Sequence, residues 1–395
     1  MMEVLILGAG YAGLRALREL QLHHDIKITL VDRNNYHYEA TNLHEVAAGT
    51  QPAEAITYPI EEVVNHKCTH FVQGEVEKIL PEKQLVRLSD GQELSYDYLI
   101  VALGFESESF GIEGVTEYCL KMDDVDSAEA IQHHLHAMMI KYQETNNPEY
   151  LKIIVAGAGF TGTELLGALL DAREKLAETA KVNPNQIEIF CVDSGKQYLP
   201  MFSEKLSAYG MKHLEERGVK FFRPKRIQAV TDGVVTCDDG TELTAKTIIW
   251  TTGVSGSHVI KDSGFSAKRN RIAVKANLTD PDDDKIYFVG DVAFVVDDTT
   301  GKPYPTTAQL SLKMGQYAAK DILAKAAGKK QAPFVFHSLG TVASIGNTDA
   351  LGIVGPAEVK GYPASFIKKA IMDRSLMETG GVKEMLSKGR ADFYH

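Results

Sequence analysis

Glu3-Val4-Leu5-Ile6-Leu7-Gly8-Ala9-Gly10-Tyr11-Ala12-Gly13-Leu14-Arg15 is the stretch on which the fold turns. An apolar run ends in Gly8-x-Gly10-x-x-Gly13, and a helix-compatible segment, Leu14 to Leu22, follows at once. A second apolar run, Ile26 to Val31, closes on Asp32. Strand, glycine turn, helix, strand and acid in that order describe a dinucleotide-binding turn. Gly8 allows the tight turn, Gly10 lets the backbone approach a pyrophosphate, and Gly13 lets helix and strand sit close. The helix N-terminus then faces the phosphates, and Asp32 is placed to accept hydrogen bonds from a ribose.

The chain does this twice. Lys152-Ile153-Ile154-Val155-Ala156-Gly157-Ala158-Gly159-Phe160-Thr161-Gly162-Thr163-Glu164 repeats the pattern, with Gly157 lying 149 positions after Gly8. Asp90-Gly91-Gln92-Glu93-Leu94-Ser95, running on to Gly104, is echoed by Asp239-Gly240-Thr241-Glu242-Leu243-Thr244, running on to Gly253, again at an offset of 149. Separate segments repeating at one offset point to two copies of one nucleotide-binding domain, and so to two dinucleotides. In the second copy the strand Gln186 to Val192 ends at Asp193, the counterpart of Asp32. An acid there accepts from a ribose 2′-hydroxyl and repels a 2′-phosphate, which favours NADH over NADPH.

Composition narrows the class. At 395 residues the chain has room for two or three domains, and 44% hydrophobic with 24% charged residues is ordinary for a globular protein. A net charge of −11 argues against nucleic acid as a general partner. The N-terminus is already the first strand, which leaves no space for a signal peptide ahead of it. No run approaches the roughly eighteen apolar residues of a membrane span, so cytoplasm is the expected compartment. Cys68, Cys119, Cys191 and Cys237 are scattered without a C-x-x-C, so neither a disulfide framework nor a zinc site is expected. His44-Glu45 is not H-E-x-x-H, because Ala48 stands where the second histidine belongs, and His133, His134 and His136 read as surface residues; no metal is expected.

Arg33 to Glu45, rich in aromatic and polar groups, reads either as a plain loop entering a helix or as a segment lying along a bound FAD. Phe71 to Leu80, Gln84 to Leu88 and Gln92 to Leu94 are expected as short strands before the buried strand Tyr98 to Ala102. Gly111 to Tyr118 reads as a crossover between domains, and Asp123 to Tyr142 as a long, mostly solvated helix. The helix after the second turn is expected over Gly162 to Lys181, with Asn183-Pro184-Asn185 breaking it. Lys285 to Ala293 is a strand ending in Gly290-Asp291, and Pro303 to Gln309 leads into a helix running to about Ala326. A strand arriving that late suggests that the chain returns to complete the first domain. The expected organisation is α/β: two Rossmann-like domains, one over 1–110 and 275–330, the other inserted at 111–274, and a C-terminal segment at 331–395.

Together these residues resemble the two-dinucleotide-binding flavoproteins of the pyridine nucleotide–disulfide oxidoreductase superfamily, whose first domain holds FAD and whose inserted domain holds NAD(P)H. Val289-Gly290-Asp291-Val292 is similar to the superfamily's third fingerprint, whose Asp binds the flavin's ribityl chain. Val101-Ala102-Leu103-Gly104 and Thr251-Thr252-Gly253-Val254 look like its Ala-Thr-Gly turns, with Leu103 departing from the usual Thr. The cysteine pair of the disulfide members is missing. Within the superfamily the chain looks like type II (non-proton-pumping) NADH:quinone oxidoreductase, particularly its Gram-positive bacterial form. The likeness runs through Tyr36-His37-Tyr38-Glu39-Ala40-Thr41, Gly159 to Glu164, Gly340 to Gly346 and Phe366-Ile367-Lys368-Lys369.

The resemblance implies roles residue by residue. FAD would be held by Gly8, Gly10, Tyr11, Ala12, Gly13, Leu14, Asp32, Arg33, Thr41, Val76, Ala102, Gly104, Asp291, Ala308, Gln309 and Lys368. NADH would be held by Gly157, Gly159, Phe160, Thr161, Gly162, Asp193 and Gly253. Glu164 and Gln309 are the catalytic candidates. Glu164 matches the family's glutamate near the nicotinamide and the quinone path; the plain alternative is a first-turn acid stabilised by its helix N-terminus. Ala308-Gln309 match the start of the family's A-Q-x-A-x-x-Q-G motif, from which the chain departs at Ser311 and Met314. The plain alternative for Gln309 is a residue of the helix start. Lys368 would approach the flavin N1–C2=O edge, where a cation stabilises anionic reduced flavin.

From Lys360 to Arg390 seven Lys or Arg stand against three acids, so this segment carries +4 in a chain of −11. Apolar residues are interleaved, and the stretch reads as two short amphipathic helices split by Gly380-Gly381. Such helices either lie in an anionic membrane interface or pack on a core. The resemblance implies the first: a peripheral, monotopic protein on the cytoplasmic face, passing electrons from NADH through FAD to a membrane quinone, with menaquinone expected and a homodimer left open. Two rivals remain: a sulfide:quinone oxidoreductase, which would need paired cysteines, and a redox sensor that binds FAD and NADH without turnover.

Overall fold

Val4, Leu5, Ile6 and Leu7 are all buried, as a strand covered on both faces requires, and they run at the centre of a parallel sheet. The computed structural model describes residues 1–297 and 299–390. In space the first sheet runs Ile286–Phe288, Tyr98–Val101, Met2–Leu7, Ile26–Asp32, Thr69–Gln73, every neighbour parallel. The second runs Leu120–Lys121, Thr247–Trp250, Lys152–Ala156, Glu188–Val192, Val219–Phe222, again all parallel. Each sheet carries a three-stranded antiparallel companion, Val76–Leu80, Leu85–Leu88 and Glu93–Ser95 in one case, Ile227–Thr231, Val234–Cys237 and Glu242–Thr244 in the other. Even the register irregularity recurs, in the first strand pair of each companion. The sequence between the Tyr98–Val101 and Ile286–Phe288 strands builds the whole second sheet before the chain re-enters the first.

Three local expectations need correcting. The run Phe71 to Leu80 is two strands, not one: Gly74 donates to Asp32 O at 2.8 Å, and there the chain leaves the parallel sheet for the antiparallel one. The helix Val125–Thr145 is half-buried: Val125, Ala128, Ile131, Leu135, Met138 and Met139 pack inward, an apolar stripe at helical spacing that the intervening histidines and glutamine disguise. His134 on its flank contacts Lys246 O at 3.0 Å. Between Lys360 and Arg390 the chain forms one long helix, Tyr362–Thr379, and a short one, Val382–Lys388, instead of two short ones. The long helix divides its residues between two faces: Ala364, Met372, Ser375 and Leu376 pack inward, whereas Tyr362, Phe366, Ile371 and Met377 stay exposed. Residues 391–395 of the expected C-terminal segment lie outside the described part.

Helix packing places the site. The Tyr11–Leu20 helix lies against Ala308–Ala326, close enough that a Cβ added at Gly315 would overlap the Ala12 carbonyl. The Phe160–Ala180 helix meets the C-terminal antiparallel sheet (Gly340–Ser344, Ala350–Val354, Ala357–Lys360) at Gly167, where a Cβ would overlap Gly346 N. The C-terminal sheet is thereby pressed against the second glycine-started helix, and the Tyr362–Thr379 helix reaches the first, with Arg15 Nε 3.8 Å from Glu378. No helix among the described residues is long and apolar enough to cross a membrane.

Candidate active site

Gly8 takes φ 99° and Gly157 φ 104°, backbone that a residue with a Cβ holds only under strain. A Cβ at Gly13 would overlap Gly8 O, and one at Gly162 would overlap Gly157 O. At Gly10 and Gly159 the space is open, with no heavy atom within 4 Å of an added Cβ. Two glycines in each motif therefore build the turn, and the middle one leaves an approach for a ligand backbone-first.

Over the first turn opens a groove of about 440 Å³. Gly8, Gly10, Tyr11, Ala12, Asp32, Arg33, Val76, Ala102, Gly104 and Asp291 line it, as does Ser311. Asp32 accepts from Ala9 N at 2.7 Å and Asn34 N at 2.8 Å. Burial pushes the carboxyls of Asp32 and Asp291 up, opposed at Asp291 by Arg271. Carboxylates held out of water gain from hydroxyl donors. A long groove with a backbone cradle and a carboxylate on either side of it fits a dinucleotide rich in hydroxyls, FAD included.

Other expected contacts fall elsewhere. Gly13 lies beneath the turn, and Leu14 is fully buried with its N–H given to Gly10 O at 3.0 Å, so Leu14 supports the turn instead of lining the groove. Thr41 sits behind Tyr11, its N–H 3.3 Å and its hydroxyl 3.2 Å from the phenol oxygen, which donates to Glu39 at 3.0 Å. Ala308, Gln309 and Lys368 are not among the groove's lining residues. Gln309 Oε1 accepts from Leu339 N at 3.0 Å and ties the helix start to the C-terminal region. Met314 is fully buried in the first-domain core, so that departure from the motif faces away from the groove, whereas Ser311 lies on its wall.

In the second copy Gly159 and Thr161 are exposed at the turn, and Phe160 packs edge-on against Phe202 at 5.7 Å. Gly253 takes φ 67° beneath the ring of Phe110, which a Cβ there would overlap. Asp193 Oδ2 accepts from Ala158 N at 3.1 Å and Oδ1 from Gly195 N at 2.8 Å.

Glu164, one residue past the first turn of the second glycine-started helix (Phe160–Ala180) and so not the first-turn acid of the plain alternative, is 7% exposed. Its Oε1 receives Lys368 Nζ at 2.7 Å and Ser344 N at 3.2 Å, and its Oε2 lies 3.9 Å from His44 Nδ1. One carboxylate thus joins the first domain, the second domain and the C-terminal region. Burial lowers the affinity of His44 for a proton, which leaves it neutral at pH 7. His44 and Lys368 also line a cavity of about 120 Å³ toward Glu45 and Arg390, which form a two-pronged ion pair at 2.6 and 2.5 Å. Sequence reasoning missed His44, Ser344 and also His37, whose buried ring contacts Ala9 O at 2.7 Å and Glu39 at 3.3 Å from below the first turn. His37 and Ser344 lie within segments that carry the family likeness and His44 within the Arg33 to Glu45 run, but nothing in those runs says which side chain turns inward.

The pyridine nucleotide-disulphide oxidoreductase family pattern matches residues 2–315. The type II NADH:quinone oxidoreductase of Staphylococcus haemolyticus is 38% identical over 396 residues, covering 98% of both chains. Among solved structures, NDH2 of Plasmodium falciparum in complex with NADH superposes with a TM-score of 0.87 at 18% identity, over 98% of this chain and 97% of that one. The sulfide:quinone oxidoreductase of Aquifex aeolicus does so with 0.76 at 21%, over 96% and 92%. At such identities these two likenesses concern the fold. Family pattern and full-length relative agree with the duplicated turns: the chain belongs to the pyridine nucleotide-disulphide oxidoreductases and, within them, to the type II NADH:quinone oxidoreductases.

Proposed function

We propose that this chain oxidises NADH with bound FAD and passes two electrons to a membrane quinone, without pumping protons. The observation that carries the reading is the duplicated glycine turn, one copy under a groove fit for FAD, the other starting the helix that presents buried Glu164. Bound FAD supplies the redox chemistry between a hydride donor and a quinone. The chain's own residues supply position. Gly8, Gly10 and the Tyr11–Leu20 helix N-terminus seat one pyrophosphate, and Gly157, Gly159 and the Phe160–Ala180 N-terminus seat the other. Asp32 and Asp193 orient the two adenosine riboses, and Asp291 the ribityl chain. Quinone reduction consumes two protons, and Glu164, held between Lys368 and Ser344, is placed to hold one at Oε. Gln309 fixes the helix start beside this path.

The purified holoprotein, kept anaerobic, should lose its oxidised-flavin absorbance on adding NADH and regain it on adding menadione, with menaquinone the physiological acceptor to try first. Bleaching without reoxidation would refute the quinone step, and no bleaching would refute the NADH step. The sulfide-oxidising alternative gains nothing from the structure. Cys68, Cys119, Cys191 and Cys237 are all free, none is among the groove's lining residues, and burial pushes the Cys119 thiol up to about 12.

The reading includes peripheral attachment to the cytoplasmic face of the membrane. What supports it is the set of exposed apolar side chains on the last two helices, Tyr362, Phe366, Ile371, Met377, Val382 and Leu386, within the segment of net charge +4. Cosedimentation with vesicles containing anionic lipid should be strong at low salt and fall as salt rises. Val382→Glu with Leu386→Glu should weaken it by about tenfold or more. Binding unchanged by both changes and by salt would remove this part of the reading.

A further inference from the structure

The two acids that close the paired nucleotide turns have different surroundings. Asp32 takes the backbone N–H groups of Ala9 and Asn34, and its neighbour Arg33 turns away to Asp124 at 2.7 Å. Asp193 takes the equivalent pair, Ala158 and Gly195, and a guanidinium besides. Arg223 Nε lies 3.3 Å from Asp193 Oδ1, its Nη2 donates to Gly195 O at 2.8 Å, and its side chain is only 9% exposed. Arg223 is therefore locked onto the acid, with the Tyr198 ring 5.8 Å away.

Beyond Asp193 the turn continues Ser194-Gly195-Lys196, and Ser194 and Lys196 are both exposed. Lys225 also joins this turn, its N–H donating to Asp193 O at 2.9 Å, while its ammonium is engaged by Asp239 and Thr241. A lone carboxylate at this position excludes NADPH by repelling the 2′-phosphate, and a nearby arginine is what accommodates that phosphate. Here the carboxylate is neutralised, both of its oxygens already have donors, and a hydroxyl and an ammonium face solvent within three residues. Counting Asp193, Arg223 and Lys196, the turn is net positive. The equivalent turn of the first domain, where an FAD adenosine would bring no 2′-phosphate, has the acid without such a cation.

We infer that the second dinucleotide site takes the 2′-phosphate of NADPH as well as the 2′-hydroxyl of NADH. Arg223 neutralises Asp193 as a positioning residue, and Ser194 and Lys196 donate to the phosphate. This departs from the preference for NADH that an acid at 193 alone predicts. The 2′-phosphate is remote from the nicotinamide, so the reaction keeps its form: NADPH, a proton and quinone give NADP⁺ and quinol, the hydride supplying both electrons. The inference rests on the second turn binding a nicotinamide dinucleotide.

The test compares kcat/KM for NADH and NADPH on the flavin-loaded enzyme, with menadione as acceptor and ionic strength fixed. The NADH-to-NADPH ratio is expected below about 100, a value short of what an unneutralised acid would impose. Arg223→Met restores the bare carboxylate and should raise the ratio at least about fivefold; Lys196→Ala removes the phosphate's ammonium and should do the same. Lys196 is at the surface, so its variant carries the test if Arg223→Met fails to fold. A ratio of about 100 or more in the natural enzyme, or a smaller rise in every folded variant, overturns the inference. Activity with NADH and none with NADPH would overturn it alone, whereas failure with both would overturn the nicotinamide reading of the site as well.

Discussion

Gly13→Ala should yield no folded flavoprotein, while Gly10→Ala should yield a folded one that loses flavin readily. At Gly13 the new methyl would overlap the Gly8 carbonyl oxygen, with Ile6 Cγ2 only 3.4 Å away on the strand side. Gly8 is fixed in turn by its N–H to Val31 O at 2.7 Å, so the strand cannot yield without losing its register. Overpacking against backbone of this kind costs about 3 kcal/mol or more, a large fraction of a domain's stability. At Gly10 the methyl meets open space, and the loss falls on a bound pyrophosphate instead. The flavin-to-protein absorbance ratio and a urea unfolding curve separate the two outcomes. A Gly13→Ala protein with full flavin content and an unchanged midpoint would refute this account of the turn.

The second large effect is at the buried ion pair. Lys368→Met leaves Glu164 with the Ser344 N–H and a neutral His44, in a place where its side chain is 8% exposed. Breaking a buried pair by removing one partner costs about 3 kcal/mol, most of it the charge left uncompensated. Adding Glu164→Gln removes that charge, so the double variant should recover most of the lost stability. It should not recover quinone turnover, expected to stay down by about tenfold or more because no ionisable group remains at that position to hold a proton. Urea midpoints and anaerobic turnover on the four proteins of this cycle report the two effects separately. A double variant with natural turnover would remove Glu164 and Lys368 from the chemistry.

The parts of this architecture legible in the sequence are those written in consecutive residues. Gly8 to Gly13, its copy at Gly157 to Gly162, and the Asp90 and Asp239 turns each carry their own backbone requirement, and the shared offset of 149 reveals the duplication. The late strand at Ile286–Phe288 could be placed because it arrives after the second domain and runs on into Gly290-Asp291. What stayed hidden arises between distant segments. Glu164 and Lys368 lie 204 positions apart, and nothing in either neighbourhood says that their side chains meet at 2.7 Å. Arg223 follows a strand as an unremarked basic residue, and only the parallel pairing of Val219–Phe222 with Glu188–Val192 carries it to Asp193. The Tyr362–Thr379 helix misled for another reason: its apolar residues serve two faces, so their count could not say which was covered.

The re-entry of the chain into its first sheet also sets an order of events during synthesis. The groove over the first glycine turn needs Val289, Gly290 and Asp291, which leave the ribosome only after the whole second sheet. Domains fold as units as they emerge, and the contiguous second unit can close on itself first. The first unit must wait, with Tyr98–Val101 presenting an unpaired edge until Ile286–Phe288 arrives. A nascent chain with only its first 270 residues outside the ribosome would therefore hold a finished second sheet beside an unfinished first one. Cofactor loading is in this sense a checkpoint on completion of the polypeptide.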